Sequence, residues 1–155
     1  THRSILNYDQ IMLAFKSNFP DLNIIYADFT NISLYNQIKI VLKTDILITV
    51  HGSAETHMLL LNDNSLTIEI MPYLLETFLN LYRDIANLTK LQFIEFHTNK
   101  WSCFPKRRGW VTEYESNPKS ICNGKFRSNL RNQNIALNDT EIDLILKLIK
   151  NHIRY

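Results

Sequence analysis

The segment Thr44-Asp45-Ile46-Leu47-Ile48-Thr49-Val50-His51-Gly52-Ser53-Ala54-Glu55-Thr56-His57 constrains the fold most. Its uncharged, β-branched run from Ile46 to Val50 reads as a strand. His51-Gly52 ends that run, and small and polar residues then open a short helix. In open α/β sheets, ligands bind outside the carboxyl ends of the strands. The free N–H groups of a helix N-terminus at such a place attract an anion such as phosphate.

The flanking sequence alternates strand and helix signals. Asn7 is placed as an N-cap, with Gln10 three residues on and Leu6 and Ile11 as a hydrophobic staple, for a helix to about Ser17. Asn23 to Ala27 reads as a buried strand. Ser33 caps a second helix to about Leu42, with Leu34, Ile38, Val41 and Leu42 on one face. After Ile46–Val50 come a short helix from about Ala54 to Leu61, a strand over Leu66–Ile70, a helix over Leu75–Leu88 and a strand over Leu91–Phe96. From about Thr98 to Leu137 no period is sustained, and two of the four prolines and two of the three glycines lie there, so this stretch is expected to be a long irregular loop. Asn138 and Glu141 form a capping box for a last helix, whose apolar face is Ile142, Ile145, Leu146, Ile149 and Ile153.

Repeated β-α units predict an α/β domain: a three-layer, Rossmann-like parallel sheet with right-handed crossovers. The 155 residues fit a single domain, and 45% hydrophobic content suffices for a core. Four strands are few for such a sheet, and the chain opens inside an Arg-x-Ile-Leu-Asn segment. A further strand before Thr1 is therefore expected, as in a piece of a longer protein.

The formal charge of +2 does not argue for nucleic acid. It is unevenly spread: Lys100 to Arg131 holds eight Lys/Arg against two Glu. That segment reads either as a solvated basic loop or as a surface for an anionic ligand. Trp101, Phe104 and Pro105 beside Lys106-Arg107-Arg108 would suit a ring plus a phosphate. No run is long enough to span a membrane. Cys103 and Cys122 fit no zinc or redox spacing; they are a pair in an oxidising compartment or two ordinary thiols. Three N-x-S/T sequons, at Asn31, Asn87 and Asn138, are close to what chance gives.

Absences narrow the chemistry. Three glycines, at 52, 109 and 124, exclude both G-x-G-x-x-G and a Walker A loop. There is no H-E-x-x-H, no nucleophile elbow and no Asp-x-Asp pair; Glu113-Tyr114-Glu115 has similar spacing but sits in the irregular basic segment. No metal site is expected. At the turn, Gly52 serves close backbone approach or a positive φ. His51 is either a phosphate donor or a histidine buried at a strand end. Thr56 and His57, in the first helical turns, either supplement the N–H groups or pack. Glu69 lies inside the apolar run Leu66-Thr67-Ile68-Glu69-Ile70, 17 residues past Gly52. A carboxylate there needs a partner or ligand, unless it faces solvent; on the following strand it is placed to accept from ribose hydroxyls. Arg3, just before the first helix, is a diphosphate clamp or a surface arginine.

Taken in order, these residues resemble glycosyltransferase family 61 and, within it, the EGF-domain-specific O-linked N-acetylglucosaminyltransferases. The shared pieces are Arg3-Ser4-Ile5-Leu6-Asn7, Ser33-Leu34-Tyr35-Asn36-Gln37-Ile38, Thr44 to His57 with Met58-Leu59-Leu60-Leu61, and Ile68-Glu69-Ile70. The Phe104-Pro105-Lys106-Arg107-Arg108-Gly109 segment and the closing helix also look similar. The resemblance implies the C-terminal, donor-binding half of a two-domain GT-B enzyme, with the acceptor held mostly by an N-terminal domain. It implies a UDP-sugar co-substrate (UDP-N-acetylglucosamine or a UDP-pentose), inverting transfer to a hydroxyl of a protein or glycan, and no metal. Arg3, His51, Gly52, Ser53, Thr56 and His57 would serve the diphosphate, and Glu69 the uridine ribose. The general base is not identified. A member of the eukaryotic family would work in the secretory pathway.

One departure stands at the turn itself. Where the family has Ala-Gly-Leu after His-Gly, this chain has Ser53-Ala54-Glu55. A Glu55 pointing into the cleft opposes a diphosphate; on the outer face of the helix start it favours the dipole. The alternatives are a non-catalytic relative of the same fold and an unrelated α/β phosphate-binding module.

Overall fold

The computed structural model describes residues 3–75, 81–99, 102–104, 116 and 132–153. In chain order the elements are α1 (Tyr8–Asn18), a 3₁₀ turn (Phe29–Asn31), α2 (Leu34–Val41), β1 (Ile46–Val50), a 3₁₀ helix (Ser53–Leu60), β2 (Leu66–Met71), α3 (Leu81–Leu88), β3 (Gln92–His97), β4 (Cys103–Phe104), β5 (Asn134–Ile135) and α4 (Asp139–Ile153). β1, β2 and β3 form one parallel sheet in that order, and β4 pairs antiparallel with β5. This is the expected α/β class with a parallel sheet and flanking helices.

Strand register explains which side chains meet which layer. Ile48, Ile68 and Ile94 are in register, as are Val50, Ile70 and Phe96. Side chains alternate across a sheet, so these apolar rows share one face. They pack with Ile11 and Phe15 of α1 and Ile142, Ile145, Leu146 and Ile149 of α4. The opposite face carries Thr67, Glu69 and Met71 from β2, all buried. β2 is buried along its whole length because it is the central strand, covered on both faces.

Several expectations are corrected. Residues 23–27 are extended but join no sheet among the described residues. Ile24 reaches the core, but Ile25 and Tyr26 are exposed, and Tyr26 stacks on Tyr8 with ring centroids 4.7 Å apart. An apolar run thus found side-chain packing without ladder partners. The stretch expected to be irregular contributes β4 and β5, each two residues long and too short to show a period. Asn7 makes no cap bond; its Nδ2 donates to Gln10 Oε1 (2.9 Å) and to Leu137 O (2.7 Å), tying α1 to the approach of α4. Leu6 of the expected staple is half exposed, as is Ile153 at the end of α4. The helix expected from Leu75 begins at Leu81 among the described residues, and residues 76–80 lie outside them.

The capping box of α4 forms as expected and does more. Glu141 N donates to Asn138 Oδ1 (3.0 Å) and Asn138 N to Glu141 Oε2 (3.0 Å). The same buried carboxylate accepts from Asn99 N (2.9 Å) and from the Ser102 hydroxyl. It joins the end of β3, the approach to β4 and the start of α4. Removing it leaves several donors without an acceptor. Glu141→Ala is expected to cost about 2–4 kcal/mol in urea denaturation. Asp143→Ala, exposed on the same helix, should stay within about 0.5 kcal/mol. Equal losses for the two would contradict this role.

Candidate functional site

The site is built where β1 ends. His51 N donates to Ile70 O (3.0 Å), carrying the β1–β2 ladder one residue beyond the strand. Thr49 is in register with Glu69. His51, two residues on, faces the same side, and its Nδ1 hydrogen-bonds Glu69 Oε1. The ring packs edge-on against Tyr82 of α3, with centroids 5.5 Å apart. With Nδ1 turned to a carboxylate, Nε2 is the ring nitrogen left for a ligand.

Gly52 follows with φ 160° and ψ −178°, extended backbone open to any residue. Its need is space, not a positive φ. A Cβ there would stand 2.5 Å from Arg3 Nη2 and 3.2 Å from Arg3 Cζ. The guanidinium of Arg3 therefore lies directly against the Gly52 backbone. A residue 49 positions away in sequence is brought to the turn, as the diphosphate-clamp reading requires.

Glu55 was the ambiguous residue, and it turns inward. It is fully buried. Its Oε2 faces the Gly52 N–H at 3.5 Å and stands 4.0 Å from His51 Nδ1. Oε1 has no hydrogen-bond partner among the described residues. Burial, and then the charge and hydrogen bond of neighbouring Glu69, push its carboxyl up to about 9, against a smaller opposite pull from Gly52 N–H and Arg3. Glu55 is therefore neutral at pH 7 and adds no negative charge to the turn. His51, Glu55 and Glu69 offer ligand atoms within 4.8 Å of one another, the one such group of three among the described residues. The Arg3 guanidinium lies close by, against Gly52.

The remaining sequence candidates are engaged locally. Thr56 Oγ1 donates to Ser53 O (2.7 Å). His57 Nδ1 meets Ala54 O (2.7 Å), and its Nε2 meets Gln37 Oε1 (3.0 Å). Ser53 is exposed at the start of the 3₁₀ helix. Glu69 is not solvent-facing: at 3% exposure it stands behind His51, and contact with a ribose would require it to leave His51 and Glu55. The Trp101, Pro105 and Lys106-Arg107-Arg108 cluster, Glu113-Tyr114-Glu115, Cys122 and the side chains of Cys103 and Phe104 lie outside the described residues.

Sequence reasoning named Gln37 and Glu55 without finding their contacts. Gln37 is a clamp: its Nε2 donates to Phe29 O (3.0 Å) and Ile32 O (2.7 Å), while its Oε1 receives His57. Nothing local signals this. Glu55 sits three residues after Gly52, the spacing at which an acidic side chain reaches back to an N-cap N–H. That signal was readable.

Residues 1–68 match the family described as glycosyltransferase 61. The chain is also 29% identical over 120 residues, 76% of its length, to the mouse (Mus musculus) protein "EGF domain-specific O-linked N-acetylglucosamine transferase". Over its first 68 residues the chain is similar to glycosyltransferase family 61. It spans 22% of that relative's length. The family match takes in Arg3, Gln37 and the whole turn from His51 to His57, and stops one residue before Glu69.

The Glu55 carboxyl has a consequence for stability. Its folded value lies above its ordinary 4.5, so the folded state holds this proton more tightly. Stability linked to Glu55 is fully present below about pH 4.5 and is lost as pH rises towards 9. Glu55→Gln keeps the neutral shape. Its melting temperature is expected to match wild type near pH 4.5 and to exceed it by a growing margin up to pH 9. A constant difference across that range would contradict a buried, protonated Glu55.

Proposed function

We propose that this chain is the donor-binding part of a glycosyltransferase, and that the turn from His51 to Thr56 holds the diphosphate of a UDP-sugar. One observation carries the reading. Arg3 lies against Gly52 at the carboxyl end of β1, beside His51. A fixed guanidinium, an imidazole and the start of a helix converge there, and such a place suits a diphosphate.

The mechanism follows from charge. As the glycosidic bond breaks, the leaving UDP gains negative charge. Donors already in place stabilise that charge more in the transition state than in the ground state. Arg3 and His51 supply this without a metal ion. Gly52 keeps the backbone thin enough for Arg3 to approach, and Ser53, Thr56 and His57 shape the segment that follows. Glu69 acts through His51, whose Nδ1 it holds. The sugar is N-acetylglucosamine or a pentose, transferred with inversion to a hydroxyl of a protein or glycan. The acceptor is held mostly by an N-terminal domain of a GT-B enzyme. Burial and Glu69 push the Glu55 carboxyl up to about 9, so its inward position does not by itself oppose a diphosphate at pH 7.

Titration of UDP against the intact protein tests this reading. Arg3→Ala and His51→Ala should each weaken UDP binding by about 10–100-fold, the loss of a charge-assisted hydrogen bond. Gly52→Ala should weaken it comparably, because its Cβ occupies the position of the Arg3 guanidinium. Absence of UDP binding at millimolar concentration, or binding indifferent to all three substitutions, would overturn it.

A further inference from the structure

We infer that Glu55 is a positioning residue, whose buried carboxyl holds the Glu69–His51 pair so that the Nε2 of His51 faces the ligand at the turn. The effect on ligand binding rests on the nucleotide-sugar reading above; the effect on His51 does not. Three contacts carry the inference. Glu69 receives His51 Nδ1. Glu55 lies beside Glu69 and behind the same imidazole, 4.0 Å from Nδ1. Glu55 also faces the Gly52 N–H, so it is anchored to the backbone that carries His51.

The chemistry requires a neutral Glu55. Two ionised carboxylates this close repel, and one proton shared between them relieves the repulsion. With Glu55 as the proton donor, Glu69 keeps its charge for His51. The imidazole then has one orientation, with Nδ1–H on Glu69 and Nε2 turned to the ligand, to which it donates when it carries a proton. A leucine in this slot, the residue type of the family pattern, fills the volume but donates nothing to Glu69. This chain thus adds a link that the family pattern lacks. The groups facing Glu55 come from four elements: Glu69 of β2, His51 beyond β1, Arg3 of the N-terminal segment, and Tyr82 of α3 through the His51 ring.

The test compares wild type, Glu55→Gln and Glu55→Leu by imidazole ¹⁵N NMR of His51 and by UDP titration of the intact protein. Glutamine preserves a donor towards Glu69, so the His51 nitrogen shifts should match wild type at pH 7, with Nδ1 protonated. Leucine should move both shifts towards a mixture of tautomers and weaken UDP binding about tenfold. Raising the pH from 7 to 10 should move the wild-type shifts and leave those of Glu55→Gln in place, a comparison that stands even if Glu55→Leu does not fold. Unchanged His51 shifts in Glu55→Leu, or identical pH profiles for wild type and Glu55→Gln, would overturn the inference. A wild type that shows these shifts but binds no UDP would instead overturn the nucleotide-sugar reading.

Discussion

Glu55, Glu69 and His51 bring ligand atoms within 4.8 Å of one another beside the Gly52 turn, and burial together with the Glu69 charge pushes the Glu55 carboxyl up to about 9. Around that group the rest of the site is arranged. Glu69 fixes His51, Glu55 reaches the Gly52 N–H, and Arg3 lies on the other side of the same glycine. Strand β2 supplies Glu69 from the interior of a fully buried strand, where an isolated carboxylate would be costly. The turn that the family match covers is thus held from beneath by a residue just beyond that match.

The sheet makes this possible through parity. Even-numbered residues of the three strands build an apolar face against α1 and α4, and that face supplies the core. Odd-numbered residues of β2 point to the other layer, under the 3₁₀ helix. Thr67, Glu69 and Met71 are buried there, and Glu55 approaches Glu69. Polar groups on this second face are therefore a feature of the site, whereas the first face is apolar apart from exposed Gln92 at the start of β3.

Much of this was legible in the sequence. Ile46–Val50, the Ser33-capped helix and the Asn138–Glu141 capping box were readable because each carries a local signal: β-branched residues, an N-cap hydroxyl, a reciprocal i, i+3 pair. The strand-to-helix turn at His51-Gly52 was readable for the same reason. What was not legible depends on contacts between distant residues. Residues 23–27 have strand composition, but tertiary packing gives them no ladder partner. Gln37 looks like any helical glutamine until three partners converge on it. Gly52 left two explanations open, and only the position of Arg3 decides for close approach over a positive φ. Glu55 was seen as a charge and is a neutral acid, because burial and Glu69 together set its proton.

The carboxyl edge of the sheet offers two places for a ligand: the Arg3–Gly52–His51 turn at the end of β1, and a cavity of about 550 Å³ between the end of β3 and the start of α4, lined by Phe96, His97, Asn138 and Glu141 among others. The polar centre of the second, Glu141, is already spent on Asn99, Ser102 and Asn138. Mapping backbone amide and arginine side-chain shifts on addition of UDP distinguishes them most directly. The largest changes are expected at Gly52 to Thr56 and at the Arg3 guanidinium. Changes centred on Phe96, His97 and Asn138, with the Gly52 turn silent, would contradict the assignment of the turn as the diphosphate site.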